Sequence, residues 1–195
     1  LLASSAASDV YKRQIFKKYG THGTWYAHAS VGCLHVRPVL NMKNGSDVTK
    51  MRAIALEAFE LVKKFSGSHS GEHGDGISRS EFNPVMFGEK LNTAFIKLKK
   101  ILDPSDLFNP GKIVNAHKMD ARDLSRYAPG YKASDFPTTL DWTAWPGAAG
   151  GLQGAVEMCN NNGACRKLVG GVMCPSFRVT GDEKDSTRGR ANILR

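Results

Sequence analysis

Apolar residues recur at three-to-four spacing over about 47–65, at Met51, Ile54, Ala58, Leu61, Val62 and Phe65. A second stripe runs over roughly 86–102, at Phe87, Leu91, Ala94, Phe95, Leu98, Ile101 and Leu102. Each stripe demands an amphipathic helix with one buried face. Ser46 or Asp47 is placed to cap the first, and Asp103-Pro104 ends the second. Ahead of them, residues 22–40 read as two strands that turn at Ser30-Val31-Gly32. In the second strand the period of two puts Cys33, His35 and Arg37 on one face and Leu34 and Val36 on the other. Strands followed by helices give an α+β fold: an antiparallel sheet covered by helices 47–65 and 86–102. Phe108-Asn109-Pro110-Gly111-Lys112 is a turn feeding a short strand at Ile113-Val114.

The rest of the chain is less regular. Residues 1–14 fit no helix or strand period, lack the charged start of a secretory signal, and read as a non-native or disordered tail. From 118 to 150 the periodicity fades among prolines and two tryptophans, as in an extended linker wrapping over other structure. A second, mostly helical unit opens at 151 and stops inside an incoming helix, so the chain reads as a fragment missing both ends. At 195 residues and 41% hydrophobic it has material for one or two cores. No apolar run approaches the length of a bilayer span, which excludes a transmembrane helix. The net charge of +9 raises a nucleic-acid reading. The basic residues of 166–195, however, alternate with cysteine motifs and bring no aromatic platform, so a solvated face or a field for an anionic substrate explains them better.

Two groups of residues carry chemistry. His28 and His35 flank the strand turn, and in an antiparallel hairpin both rings lie near one end, able to converge on one ion. Glu72 and His73 sit in Gly71-Glu72-His73-Gly74-Asp75-Gly76, where a backbone stripped of side chains can approach a ligand. Two imidazoles and a carboxylate form a divalent-metal site of catalytic type, with Zn²⁺ the default. By spacing alone, surface or core histidines are the commoner explanation. Arg37 or Arg79 could pair bidentately with a substrate carboxylate, or could simply be surface residues. His22, His69 and His117 carry no pattern and read as structural or exposed. Cysteines are spread unevenly: Cys33 stands alone, whereas Cys159, Cys165 and Cys174-Pro175 cluster as soft ligands would. By spacing, zinc and an iron–sulfur cluster compete for those three on nearly equal terms.

The stretch Tyr26 to Pro38, with His28 and His35 at its ends, resembles the His-rich hairpin of the C-terminal domain of FAD-linked oxidases. Many relatives carry Gly-Asp-Gly-Asn where this chain has Ser30-Val31-Gly32-Cys33. Gly71 to Gly76, and Asp103-Pro104 through Lys112, match later signatures of that family in order, so the resemblance covers about 15–117. The family includes D-lactate dehydrogenases, D-2-hydroxyglutarate dehydrogenases and the glycolate oxidase flavin subunit. The resemblance implies metal ligation by His28, His35 and Glu72, His73 as proton acceptor, and a flavin lying against Asn109 and Lys112; the alternative for the last pair is a plain turn. The segment from Cys159 to Arg190 is similar to the first half of a two-cluster ferredoxin-like module fused behind such a flavin domain in large bacterial enzymes.

Together these resemblances imply a fragment of a D-2-hydroxy acid dehydrogenase using FAD and a [4Fe–4S] cluster, whose fourth ligand lies past Arg195. The flavin-phosphate half would lie upstream, leaving the chain inactive by itself. Its partners would be a small 2-hydroxy acid, the rest of the parent polypeptide and an electron acceptor, with no nucleic acid. Its location would be cytoplasmic or peripheral at the inner membrane. A non-enzymatic iron–sulfur electron-transfer or interaction module is the alternative, and it requires no convergence of His28, His35, Glu72 and His73.

Overall fold

The computed structural model describes residues 2–133, 137–145, 150–171 and 173–194. The chain divides into two compact units, Leu1–Tyr131 and Lys132–Arg195, with the division inside the stretch expected to be a linker.

The first unit opens with helix α1 (Leu2–Lys18), followed by strands β1 (Gly23–His28) and β2 (Cys33–Pro38). These strands pair antiparallel, with Tyr26 opposite His35 and His28 opposite Cys33. The connection is a single 3-10 turn, Ala29–Val31, closed by Gly32 at a φ of +67°, which a residue with a Cβ adopts at a cost. Helix α2 (Gly45–Lys64) follows, its entry fixed by the Asn44 side chain, which accepts from the Ser46 amide at 3.1 Å; Ser46 and Asp47, expected as caps, lie inside the first turn instead. Asp47 in its first turn and Lys63 and Lys64 in its last complement the helix dipole. Beyond the glycine-rich segment come α3 (Gly76–Arg79), α4 (Asn83–Phe87) and α5 (Glu89–Leu102). Phe16, Val48, Ile54, Phe82 and Val114 are buried, and the Phe16 and Trp25 rings pack at 5.3 Å.

Four further expectations change. A helix occupies 2–18, although residues 1–14 show no apolar period: alanine, lysine, arginine and glutamine favour helix without patterning, and the helix is anchored where Phe16 is 4% exposed. Helices cover the sheet as expected, but the one against β2 is α1, with α2 packed on α1 in turn. The expected 86–102 helix is split by Gly88 at a φ of +84°, and α5 packs chiefly on α4. No α5 residue is buried, and Leu98, Ile101 and Leu102 are exposed. Finally, 113–114 is not a strand, because Ile113 has a φ of +66° and its amide donates to the Ser80 hydroxyl at 2.9 Å in place of a neighbouring strand. Asp103 ends α5 as expected, its carboxylate accepting from the Leu107 and Phe108 amides and from Lys99.

Residues 118–131 belong to the first unit and lie over it. Arg52 bridges Glu81 and Asp120, each at 2.8 Å, and the Met119 amide donates to Glu81.

The second unit is mostly helical, with α6 (Gly151–Val156), α7 (Pro175–Thr180) and α8 (Thr187–Leu194). Its small core is Cys165, Cys174 and Phe177. Among the described residues, no helix is long and apolar enough to cross a membrane.

Candidate functional site

Strand alternation sends the side chains of Tyr26, His28, Cys33, His35 and Arg37 to one face of the hairpin. Tyr26 stacks on His35 at 4.7 Å, and the rings of His28 and His35 meet edge to face at 4.9 Å. The glycine-rich loop closes over this face: a Cβ on Gly71 would come within 2.5 Å of the Cys33 sulfur, so only glycine lets the loop approach so closely. That approach delivers Glu72. Its Oε1 lies 2.8 Å from His35 Nε2, 3.2 Å from His28 Nε2 and 3.1 Å from His73 Nε2.

Three ring nitrogens thus converge on one carboxylate oxygen, and His28, His35 and Glu72 offer ligand atoms within 4.8 Å of one another. The His35 side chain is only 10% exposed, and its Nε2, though close to Glu72, makes no hydrogen bond. A buried imidazole nitrogen left without a proton partner, beside a second imidazole and a carboxylate, is a donor set that fits a divalent cation. Burial works to raise the Glu72 carboxyl, but the charges of His28 and His35 and hydrogen bonds from His28 and His73 outweigh it and hold the group below the ordinary carboxylate range. Glu72 is therefore ionised at neutral pH, as a ligand must be.

Beside these groups opens a cavity of about 470 Å³. Its apolar wall comes from α2 through Met51, Ile54 and Phe59, and its polar end from His35, Glu72, His73, Arg37 and Arg79. Arg37 is exposed and spreads over the Tyr26 ring at 5.2 Å; Arg79 is half-buried and donates to the Gly74 carbonyl at 3.0 Å. Among the described residues neither guanidinium has a carboxylate within ion-pair distance, so both remain able to receive one from a ligand. Of the six first-unit residues expected at the metal and substrate site, His35, Arg37, Glu72, His73 and Arg79 line this cavity, and His28 joins them through Glu72. The reading by spacing passed over His69: its side chain is 2% exposed, borders the same cavity and lies 3.2 Å from Asp75.

Residues 6–113 match the family described as FAD linked oxidases, C-terminal domain, which is more than half of the chain. The chain belongs to that family. It is 35% identical over 184 residues to a D-2-hydroxyglutarate dehydrogenase of Pseudomonas putida, a match covering 94% of this chain and 18% of that protein. To the D-2-hydroxyglutarate dehydrogenase of Escherichia coli it is 32% identical over 187 residues, covering 94% and 17%. To the glycolate oxidase subunit GlcD of Bacillus subtilis it is 27% identical over 99 residues, covering 51% and 21%. The chain thus spans less than a fifth of the length of the first two relatives, and those matches take in most of the second unit. No solved structure matches the chain.

In this FAD-linked oxidase domain, Asn109 and Lys112 are not among the residues lining that cavity. Asn109 and Lys112 are exposed on the turn after α5, Asn109 at a φ of +50°. In the second unit, all four of the chain's cysteines being thiols, Cys159 and Cys165 line one cavity with Met173, Thr187 and Arg188. The Arg188 amide donates to Cys165 Sγ at 3.4 Å. Cys174 is buried outside that lining, and its Sγ accepts from Thr187 and donates to the Asp185 carbonyl at 3.3 Å. Burial works to raise the Cys174 thiol, but hydrogen bonds from Thr187, the Phe177 amide and Ser176 overcome it and leave it below its ordinary value.

Proposed function

We propose that this chain is the metal- and substrate-bearing part of a flavin-dependent D-2-hydroxy acid dehydrogenase, joined to the start of an iron–sulfur relay. The single observation that carries the reading is the convergence of His28, His35 and His73 on Glu72 at the polar end of a cavity. His28, His35 and Glu72 would hold a divalent cation, Zn²⁺ by default, which supplies Lewis acidity to a bound hydroxyl and carboxylate. FAD, held mainly by a segment outside this chain, would accept the hydride from Cα.

The chain's own residues do the rest. His73, beside Glu72 and more than half exposed, donates Nε2–H to that carboxylate and takes the hydroxyl proton at its other ring nitrogen, Nδ1, so proton and hydride leave the substrate to different acceptors and the product is the 2-oxo acid. Arg37 and Arg79 bind the anionic substrate from the rim and fix which carbon faces the flavin. The wall of Met51, Ile54 and Phe59 keeps water from the reacting end. D-2-hydroxyglutarate is the favoured substrate: relatives matching 94% of this chain carry that name, and two guanidinium groups without a carboxylate partner among the described residues suit a second carboxylate. Cys159 and Cys165, which share a cavity lining, would ligate a [4Fe–4S] cluster with thiolates from elsewhere in the polypeptide, and Cys174 would serve that cluster or its neighbour.

The test is an assay of a polypeptide carrying this chain together with its flavin-binding segment, on a panel of D-2-hydroxy acids. Turnover is expected to be greatest with D-2-hydroxyglutarate, to be abolished by a chelator and to return on adding Zn²⁺ or another divalent cation. Turnover indifferent to chelation would overturn the metal part of the reading, and no turnover of any D-2-hydroxy acid would overturn the whole.

A further inference from the structure

The stretch from His117 to Tyr131 has no regular structure beyond the 3-10 turn Arg122–Leu124, yet one of its residues reaches the cavity of the candidate site. Among the described residues beyond Arg79, Met119 is the one that lines that cavity. A segment outside any helix or sheet has to be tied down by side chains if it is to serve as a wall.

The tie is a carboxylate. Glu81, its side chain 12% exposed, accepts from the Met119 amide at 2.8 Å and from both terminal nitrogens of Arg52, at 2.8 and 3.1 Å. One of those nitrogens also donates to Asp120, next along the chain, at 2.8 Å. Such bidentate, charge-assisted pairing fixes both partners in one geometry. The groups so joined come from two of the segments that build the rest of the cavity. Arg52 stands on α2 beside Met51 and within one turn of Ala55, both in the lining, and Glu81 follows two residues after Arg79. Farther along, Arg122 donates to the Met42 carbonyl ahead of α2 at 3.4 Å and to the Ala128 carbonyl at 3.0 Å.

We propose that residues 118–121 form a strap pinned by Arg52, Glu81 and Asp120, and that Met119 on this strap sets which 2-hydroxy acids the cavity accepts. Met119 is a specificity-determining residue, and Arg52 is a positioning residue that acts through it. The inference rests on the substrate reading above and adds a residue to it, but the pin itself needs no substrate. With Arg37 and Arg79 taking the charged ends of the substrate, the carbon chain between them requires an apolar surface. An unbranched thioether fills such a space closely.

Two measurements test this. In the metal-free 195-residue chain, hydrogen exchange of the Met119 amide reads the pin. Arg52→Met is expected to speed that exchange roughly 10-fold to 100-fold, the worth of a charge-assisted hydrogen bond, while the amides of β1 and β2 keep their parental rates. In a polypeptide that also carries the flavin-binding segment, the ratio of kcat/KM for D-2-hydroxyadipate to that for D-2-hydroxyglutarate reads the wall, because these acids differ by one methylene. Met119→Ala is expected to raise the ratio roughly 10-fold, and Met119→Leu to leave it near the parental value. Arg52→Met should move it in the same direction as Met119→Ala.

Should Arg52→Met lose its helical circular dichroism, Asp120→Ala, which leaves the Arg52–Glu81 pair in place, carries the exchange test in the same direction. An unchanged Met119 exchange rate would overturn the pin. A ratio unchanged in Met119→Ala, through equal losses or through none, would overturn the role of Met119 and leave the proposed dehydrogenase activity standing. If the parent polypeptide turned over no D-2-hydroxy acid, the proposed function would fall and the role of Met119 with it, while the exchange data would still decide the pin.

Discussion

The two regions expected to hold metal ions differ in how their ligands are kept. In the first unit, imidazoles of a strand hairpin and a carboxylate of a distant loop already face one point, with one buried nitrogen lacking a hydrogen bond. In the second, the thiols are engaged separately: Cys165 accepts from the Arg188 amide, while Cys174 exchanges hydrogen bonds with Thr187 and the Asp185 carbonyl. A hairpin fixes its ligands through backbone register, which exists before any ion binds. A cysteine segment on short helices and loops has no such ladder, and its final geometry depends on the inorganic core it wraps. On the proposed reading, the first site would be preorganised and the second assembled on its cargo.

The largest expected effect tests that contrast directly. Glu72→Gln or His35→Ala should reduce Zn²⁺ affinity of the chain by more than the roughly 100-fold that loss of a ligand's supporting partner can cost. Calorimetry of metal binding, with thermal unfolding as control, reads it. Near-parental affinity in both variants would break the comparison at its stronger side. On the other side, three thiolates cannot complete a four-cysteine cluster. Iron and acid-labile sulfide after anaerobic reconstitution of this chain should therefore fall well short of one cluster per chain. Stoichiometric incorporation would show the second region as complete as the first. In a longer polypeptide that does hold the cluster, Cys159→Ser and Cys165→Ser should each remove its visible absorbance.

A smaller effect separates the substrate's two ends. In the active polypeptide, Arg79→Met should raise KM for D-2-hydroxyglutarate by roughly 10-fold to 100-fold, the worth of one charge-assisted hydrogen bond, and leave KM for D-lactate little changed. Equal losses with both acids would assign Arg79 to the shared carboxylate instead, and Arg37→Met would then be the variant that discriminates.

What the sequence made legible follows the same division between local and long-range order. Period-two alternation is a property of six residues at a time, so the shared face of Cys33, His35 and Arg37 could be read directly. The stripe of helix α2 was equally legible, but its cap was not: Asn44 holds the helix start in place of Ser46 or Asp47, because several capping residues stand together there and only the backbone angle selects one. Glu72 could be joined to the hairpin only through the family resemblance, because no periodicity spans the 37 residues from His35. His69 carried no signal at all. Its burial depends on two aromatic rings from different helices, Phe59 and Phe87, and such a contact leaves no pattern in the chain. The break at Gly88 and the turn at Ile113 escaped for a related reason: an apolar stripe counts side chains and is blind to a single backbone angle.

The smallest effect concerns the turn that carries Asn109 and Lys112. Asp103 holds that turn by accepting from the Leu107 and Phe108 amides while paired with Lys99. The Lys99 ammonium, and then the Phe108 amide, pull its carboxyl down to about 2 against the opposing effect of burial, with the Leu107 amide assisting. A folded value below the unfolded one means the carboxylate favours the folded chain. That contribution is present in full above the ordinary value near 3.8 and is lost as the pH falls through about 2. Asp103→Asn should therefore lower the unfolding midpoint by a constant amount from neutral pH down to about 5, and the gap should shrink steadily below about 4. Thermal scans across that window check the sign. A gap that widened on acidification would mean the Asp103 carboxyl is held above its ordinary value, and that burial, not Lys99 and the two amides, governs the turn.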